Sequence, residues 1–142
     1  MYCTTADMSA RYGKEEMIRI TDKDGSLGDI NDSVANLAIG DASALIDGMI
    51  ASQYTLPLAV VPSNFNGMCS DIARYYLYDD SLDKEHPAYV RYQTALKYLN
   101  AVAKGDIQLE LPPEVANESS SNFAHVASAG SVFARGKSKG FV

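Results

Sequence analysis

The stretch from Asn31 to Gln53 constrains this chain more than any other. Val34, Leu37, Ala38, Leu45, Ile46 and Met49 recur at three- and four-residue steps, the period of one face of an α-helix. Asn31 or Asp32 supplies a capping oxygen at its start. A helix that long must lay its apolar stripe against other elements, so the rest of the chain has to provide them. Gly40 and Gly48 fall inside it. Each costs about 1 kcal/mol relative to Ala in a helix interior. Two such costs in one helix predict that a neighbouring helix comes close there.

The flanking segments also read as helices. Thr5 is placed as an N-cap, Met8 and Tyr12 share a face, and Gly13 suits the left-handed stop. In KEEMIRI, Met17 and Ile20 stand three apart, and Glu15 and Glu16 complement the helix dipole in the first turn. TDKDGSLGD is a loop. TLPLAVVP holds two prolines, which exclude a helix and disfavour a central strand, so it is expected to run extended against the core. Ser63 is placed as the cap of a fourth helix, with Phe65, Met68, Cys69, Ile72, Tyr75 and Tyr76 as its stripe. After the acidic loop DDSLDKEH, Pro87 opens a fifth helix. Its expected buried face is Tyr89, Tyr92, Leu96, Leu99 and Val102, and Gly105 closes it. No hairpin turn or internal repeat is present. The fold class is therefore all-α, a small bundle of about five helices with an extended C-terminal arm.

With 142 residues, the chain is the size of one domain and can bury about two thirds of its unfolded surface without a disulfide or a metal. Charge divides it. Residues 1–113 hold 9 Lys and Arg against 16 Asp and Glu, whereas residues 114–142 hold 3 against 2. The boundary falls at Pro112-Pro113, which a helix cannot cross without strain. Residues 1–113 are read as the helical body and 114–142 as the arm. A net charge of −6 argues against binding nucleic acid over the whole surface, because phosphate contacts need clustered cations. No apolar run approaches the roughly 20 residues of a membrane span. The opening MYCTTADMSAR lacks a secretory pattern, and Cys3 and Cys69 have no metal or disulfide-framework spacing. These features point to a protein made and kept in a reducing compartment.

Several patterns invite chemistry and fall short of it. With Gly25 at position six of an EF-hand loop, Asp22 and Asp24 fall on three and five. Position one is then Ile20, which cannot ligate, and position twelve is Asn31, which has no bidentate carboxylate. A glycine turn with Asp side chains on local N–H groups fits better. His86 precedes Pro87 as a helix-start residue, and His125 lies in the tail. Cys69 sits on an apolar stripe, where a buried inert thiol is expected rather than a Cys/His nucleophile. Phosphate loops, nucleophile elbows and zinc motifs are lacking. No catalytic residue, cofactor or metal is expected. Tyr75, Tyr76, Tyr78, Tyr89, Tyr92 and Tyr98 crowd two helices. Helical spacing places most of them in the core, with an interface role for some.

The arm cannot build a core of its own. Its tip, SVFARGKSKGFV, sets Phe133 and Phe141 around Arg135, Lys137 and Lys139. Paired phenylalanines flanking cations suit a segment that orders on a partner, and these five residues are the expected partner-binding site.

MYCTTADMSARYGKEEMIRITDKDGS, DASALIDGMIASQYTLPL, CSDIARYYLYDD, RYQTALKYLNAVAKG and VFARGKSKGF together resemble the Mu-like phage gene 36 product family, over essentially the whole chain. The ASALIDGMIASQYTLPL junction and the DIARYYLY helix are the most specific pieces. The resemblance implies a virion protein of the head-tail junction, made in the host bacterial cytoplasm. It implies a head-tail adaptor, also called a head completion or connector protein. Such proteins form a homo-oligomeric ring, commonly of twelve copies, with the portal protein above and the tail terminator or other tail proteins below. Packaged DNA would pass through the ring, and an acidic channel would repel phosphate rather than hold it. The arm would cross to a sister subunit or to the portal. The alternative is a small DNA-associated binding module that uses the basic tip.

Overall fold

The computed structural model describes residues 1–78 and 82–111. Helix α1 (Thr5–Tyr12) starts from a capping box one residue earlier than the spacing placed it. The Thr4 hydroxyl accepts the Asp7 N–H at 3.1 Å, and the Asp7 carboxylate accepts the Thr4 N–H at 2.9 Å. Thr5 stands just inside the helix, where its hydroxyl cannot reach those donors. Gly13, at φ +95°, ends α1 and passes directly into α2 (Lys14–Thr21). A side chain at that φ would be strained, which explains a glycine between two helices. Met8, Met17 and Ile20 are buried, as their spacing required.

The TDKDGSLGD loop closes around Asp22. Its carboxylate accepts the Leu27 N–H at 3.1 Å and the Gly28 N–H at 2.8 Å, and Asp24 accepts the Ser26 N–H at 3.0 Å. The acids thus hold local backbone, as a turn of this composition should. Asn31 then caps α3 (Asp32–Ile50) by accepting the Val34 N–H at 3.3 Å. The helix stops three residues short of Gln53.

Ala38 and Ile46 of the expected α3 stripe are buried, but the buried face is turned away from the other four positions. Ala35, Ala38, Ile39, Ala42, Ser43, Ile46 and Ile50 face inward, while Leu37 is 69% and Val34 38% exposed. Leu45 and Met49 are half-buried. Small residues line the inner face because α4 packs closely on it, so the larger apolar side chains near the start are displaced to the rim. Gly40 and Gly48 do not mark that approach. A Cβ on Gly40 would meet only the end of the Met1 side chain at 3.6 Å, and one on Gly48 would meet open space.

In the connector after α3, Leu56 and Leu58 pack on the core while Val60 and Val61 stay exposed. Buried Tyr54 accepts the Leu109 N–H at 2.9 Å, which ties the end of the described chain to this connector. Ser63 holds the N-cap position of α4 (Asn64–Leu77) without a capping hydrogen bond; the Phe65 N–H goes to the Pro62 carbonyl instead. His86 caps α5 (Pro87–Ala103), its Nδ1 accepting the Ala88 N–H at 3.0 Å, with Pro87 at the first helical position. Gly105, at φ +83°, ends α5 through paired bonds from its own N–H to Val102 and from the Asp106 N–H to Ala101.

α4 is the centre of the bundle, packed between α3 and α5, with the α1–α2 pair resting across α3 and α4. Met8, Met17, Ile39, Ile46, Phe65, Ile72, Leu99 and Val102 form the fully buried core. The body is all-α, with no strand among the described residues. None of its helices is long and apolar enough to cross a membrane.

Candidate interaction surface

The expected partner-binding residues Phe133, Arg135, Lys137, Lys139 and Phe141 lie outside the described residues, as do His125 and the Pro112-Pro113 boundary. Within the body, the tyrosines form the most distinctive surface. The first turns of α5 lie opposite the last turns of α4, where their tyrosine rings meet. Tyr75 stacks on Tyr92 with ring centroids 4.0 Å apart and planes 9° from parallel. Tyr89 meets Tyr75 edge-on at 5.8 Å, and Tyr76 leans on Tyr92 at 6.0 Å. Beyond them, Tyr78 lies against His86 at 5.1 Å.

None of these six tyrosines is fully buried, against the expectation that most lie in the core, although Tyr78, Tyr92 and Tyr98 pack against its edge. Tyr75, Tyr78, Tyr89, Tyr92 and Tyr98 are half-buried, and Tyr76 is exposed. The inward positions of α5 belong to Ala88, Ala95, Leu99 and Val102. Tyr75, Tyr76, Tyr89 and Tyr92 therefore form a seam of stacked, tilted and edge-on rings that stays partly open to solvent. Burial raises the Tyr76 phenol above its ordinary value, and the neighbouring Tyr92 and Asp41 act in the same direction. The Tyr76 phenol thus stays neutral at ordinary pH. A neutral aromatic ridge with hydrogen-bonding hydroxyls is the chemistry of protein contact surfaces. Farther along the same two helices, Met68, Asp71, Arg91, Ala95 and Tyr98 border an open groove of ≈ 330 Å³.

A polar clamp holds the other side of α4. Arg74 donates to Glu16 from Nε at 2.6 Å and from Nη2 at 3.0 Å, a bidentate pair that is largely shielded from solvent. Burial works against the Arg74 charge, but the Glu16 carboxylate outweighs it and lifts the guanidinium above its ordinary value. The same guanidinium lies 4.5 Å over the Tyr12 ring, and the Tyr12 hydroxyl donates to Asp71 at 2.5 Å. Asn66 donates to Asp7 at 2.9 Å. Together these contacts fasten α1 and α2 to α4. No local pattern in the sequence marks these contacts, because the partners lie 58 or 59 positions apart.

Cys69 is buried, as expected, but its neighbour is a second thiol rather than a histidine. Cys3 Sγ lies 3.3 Å from Cys69 Sγ. Among the described residues, no three His, Cys, Asp or Glu side chains are grouped so as to hold a metal ion.

Fold and surface together define a small, acidic, all-α protein that carries an aromatic seam between its last two helices. The chain belongs to the phage protein family described as Bacteriophage Mu, Gp36, which matches residues 2–128. It is 32% identical to gene product J of Escherichia phage Mu over 142 residues, covering 99% of each chain. It is 38% identical over 105 residues to the Mu-like prophage FluMu protein gp36 of Haemophilus influenzae, covering 74% of this chain and 73% of the relative. The family resemblance carried by the sequence motifs is thereby borne out.

Proposed function

We propose that this chain is a structural protein of the phage particle, and specifically a head-tail adaptor. In this reading, copies form a ring, commonly of twelve, between the portal protein and the tail terminator or other tail proteins. The membership of residues 2–128 in a phage Mu family carries the reading. The net charge of −6 supports it, since a ring of such subunits would repel DNA phosphates and let the duplex slide without a tight register. The tyrosine seam supplies a face for a neighbouring subunit. Phe133 and Phe141 would anchor the arm on a sister subunit or the portal, with Arg135, Lys137 and Lys139 paired to carboxylates.

The decisive experiment is a phage unable to make this chain. Electron microscopy is expected to show DNA-filled heads and free tails side by side; intact tailed particles would overturn the reading. Removing residues 114–142 is expected to leave a folded body that no longer joins the ring or portal, and normal attachment would refute the role of the arm. Retention of duplex DNA that weakens steeply with salt would favour the binding-module alternative.

A further inference from the structure

The N-terminal segment ahead of α1 lies across the bundle and places Cys3 in its core. Its neighbour Tyr2 is fixed three ways. The Tyr2 N–H donates to Ser43 Oγ at 3.1 Å, its hydroxyl donates to Asp47, and its ring meets Phe65 edge-on at 5.2 Å. These contacts hold Cys3 at 3% exposure directly over Cys69, which is fully buried. The two sulfurs stand 3.3 Å apart, as free thiols. A disulfide needs about 2.05 Å, so closure requires a movement of little more than an ångström, shared between a non-helical segment and a helix side chain.

We propose that Cys3 and Cys69 are a cross-linking site, closed by thiol–disulfide exchange with a small-molecule disulfide and fastening the N-terminal segment to α4. Residues 1–4 belong to no helix and are held chiefly by the Tyr2 contacts, so this segment can open locally without unwinding a helix. Lifting it carries Cys3 into solvent. The Cys3 thiolate attacks the reagent disulfide, forming a mixed disulfide and releasing one thiolate. When the segment returns, Cys69 attacks the Cys3 sulfur of that mixed bond and expels the second thiolate. The two cysteines lose two electrons and two protons, and the reagent disulfide is reduced to two thiols.

Before the segment lifts, the two thiols and Ser43 share a hydrogen-bonded cluster. The Cys69 thiol is drawn down to about 7, first by the hydrogen bond from Cys3 and also by the one from Ser43, with Ser43 Oγ 3.4 Å from Cys69 Sγ. Cys3 moves in the opposite direction, because it holds the shared proton against Cys69 and is itself buried. Once Cys3 is held in the mixed disulfide its S–H no longer serves Cys69, and Ser43 Oγ remains beside the attacking sulfur. The cysteines are 66 positions apart, so the bond would close a long loop in the unfolded chain. Loop-closure entropy for that length corresponds to about a 1000-fold rise in the folding equilibrium constant. The site is independent of the connector role.

The test uses the full chain incubated with oxidised glutathione, with and without sub-denaturing urea to promote lifting of the segment. Intact mass is expected to fall by the mass of two hydrogens, and thiol titration after denaturation should find both cysteines consumed. The oxidised chain should melt above the reduced one, and dithiothreitol should restore the lower melting point. Cys3→Ser should abolish the mass loss and the melting shift while leaving a folded body. Two free thiols, or persistent glutathione adducts in place of the internal bond under both conditions, would overturn the site. So would an oxidised chain that melts below the reduced one, because the bond would then distort the core.

Discussion

The two flanks of α4 are built from different materials. Towards the core it presents Phe65, Cys69, Ile72 and Ala73, each fully buried. Towards the outer edge of its contact with α5 it presents Tyr75, half-buried, and Tyr76, exposed. The inward flank is close-packed, so a change of volume there leaves a cavity that cannot collapse. The seam is only half removed from water, and its hydroxyls lose little when a ring is truncated. The inward flank holds the fold, and the seam leaves amphipathic surface available for contact. One helix thus separates stability from recognition by the side of its own axis.

Five single substitutions and one double change can break or sharpen this contrast. Phe65→Ala is expected to cost about 4 kcal/mol, because it removes a fully buried ring from the core. Urea unfolding measures it, and a cost near that of a surface change would show the inward flank to be loosely packed. Arg74→Met is next, at about 3 kcal/mol, since it strands the shielded Glu16 carboxylate. The double change Arg74→Met with Glu16→Leu should recover much of that loss, and a double-mutant cycle would display the coupling.

Thr4→Ala is expected to cost about 1 kcal/mol by opening the α1 cap. The same cap has an acid dependence. The Asn66 side chain and Thr4 hold the Asp7 carboxyl below its ordinary value. A folded-state value below the unfolded one adds stability above the unfolded value, and that stability is lost as pH falls through the folded one. Asp7→Asn should therefore narrow the melting-temperature difference between neutral and acid solution, and an unchanged difference would remove Asp7 from the cap.

The smallest stability effect belongs to the seam. Tyr76→Ser should change folding by no more than about 0.5 kcal/mol, as at other solvent-exposed positions. If the seam contacts a neighbour, the same substitution should reduce incorporation into particles. Equal losses from Tyr76→Ser and Phe65→Ala in urea would abolish the distinction between the two flanks.

Reading the chain for periodicity found every helix of the body, because helix formation depends on local spacing, caps and breakers. Pro87 at the start of α5 and Gly105 at its end are legible for that reason. Where a helix points its apolar side is a different matter. The stripe of α3 was misassigned because Val34 and Leu37 are apolar and correctly spaced, yet Ala35, Ala42 and Ser43 are the residues that allow α4 to approach. The tyrosines were read inward for the same reason: helical spacing is identical for a core residue and for one on a half-covered seam. Of the candidate interaction surface, the residues were legible and their exposure was not. The arm residues Phe133, Arg135, Lys137, Lys139 and Phe141 were singled out by composition alone and lie outside the described residues.

Local chemistry in the sequence therefore determined the helices, the proline start and glycine stop of α5, the acidic character of the body and the family to which the chain belongs. Tertiary structure alone decided which α3 face is buried, how Arg74 meets Glu16, and that Cys3 rests on Cys69. The physical reason is range. A cap or a breaker acts on neighbours within a turn, whereas these contacts join residues tens of positions apart and exist only once the helices have packed.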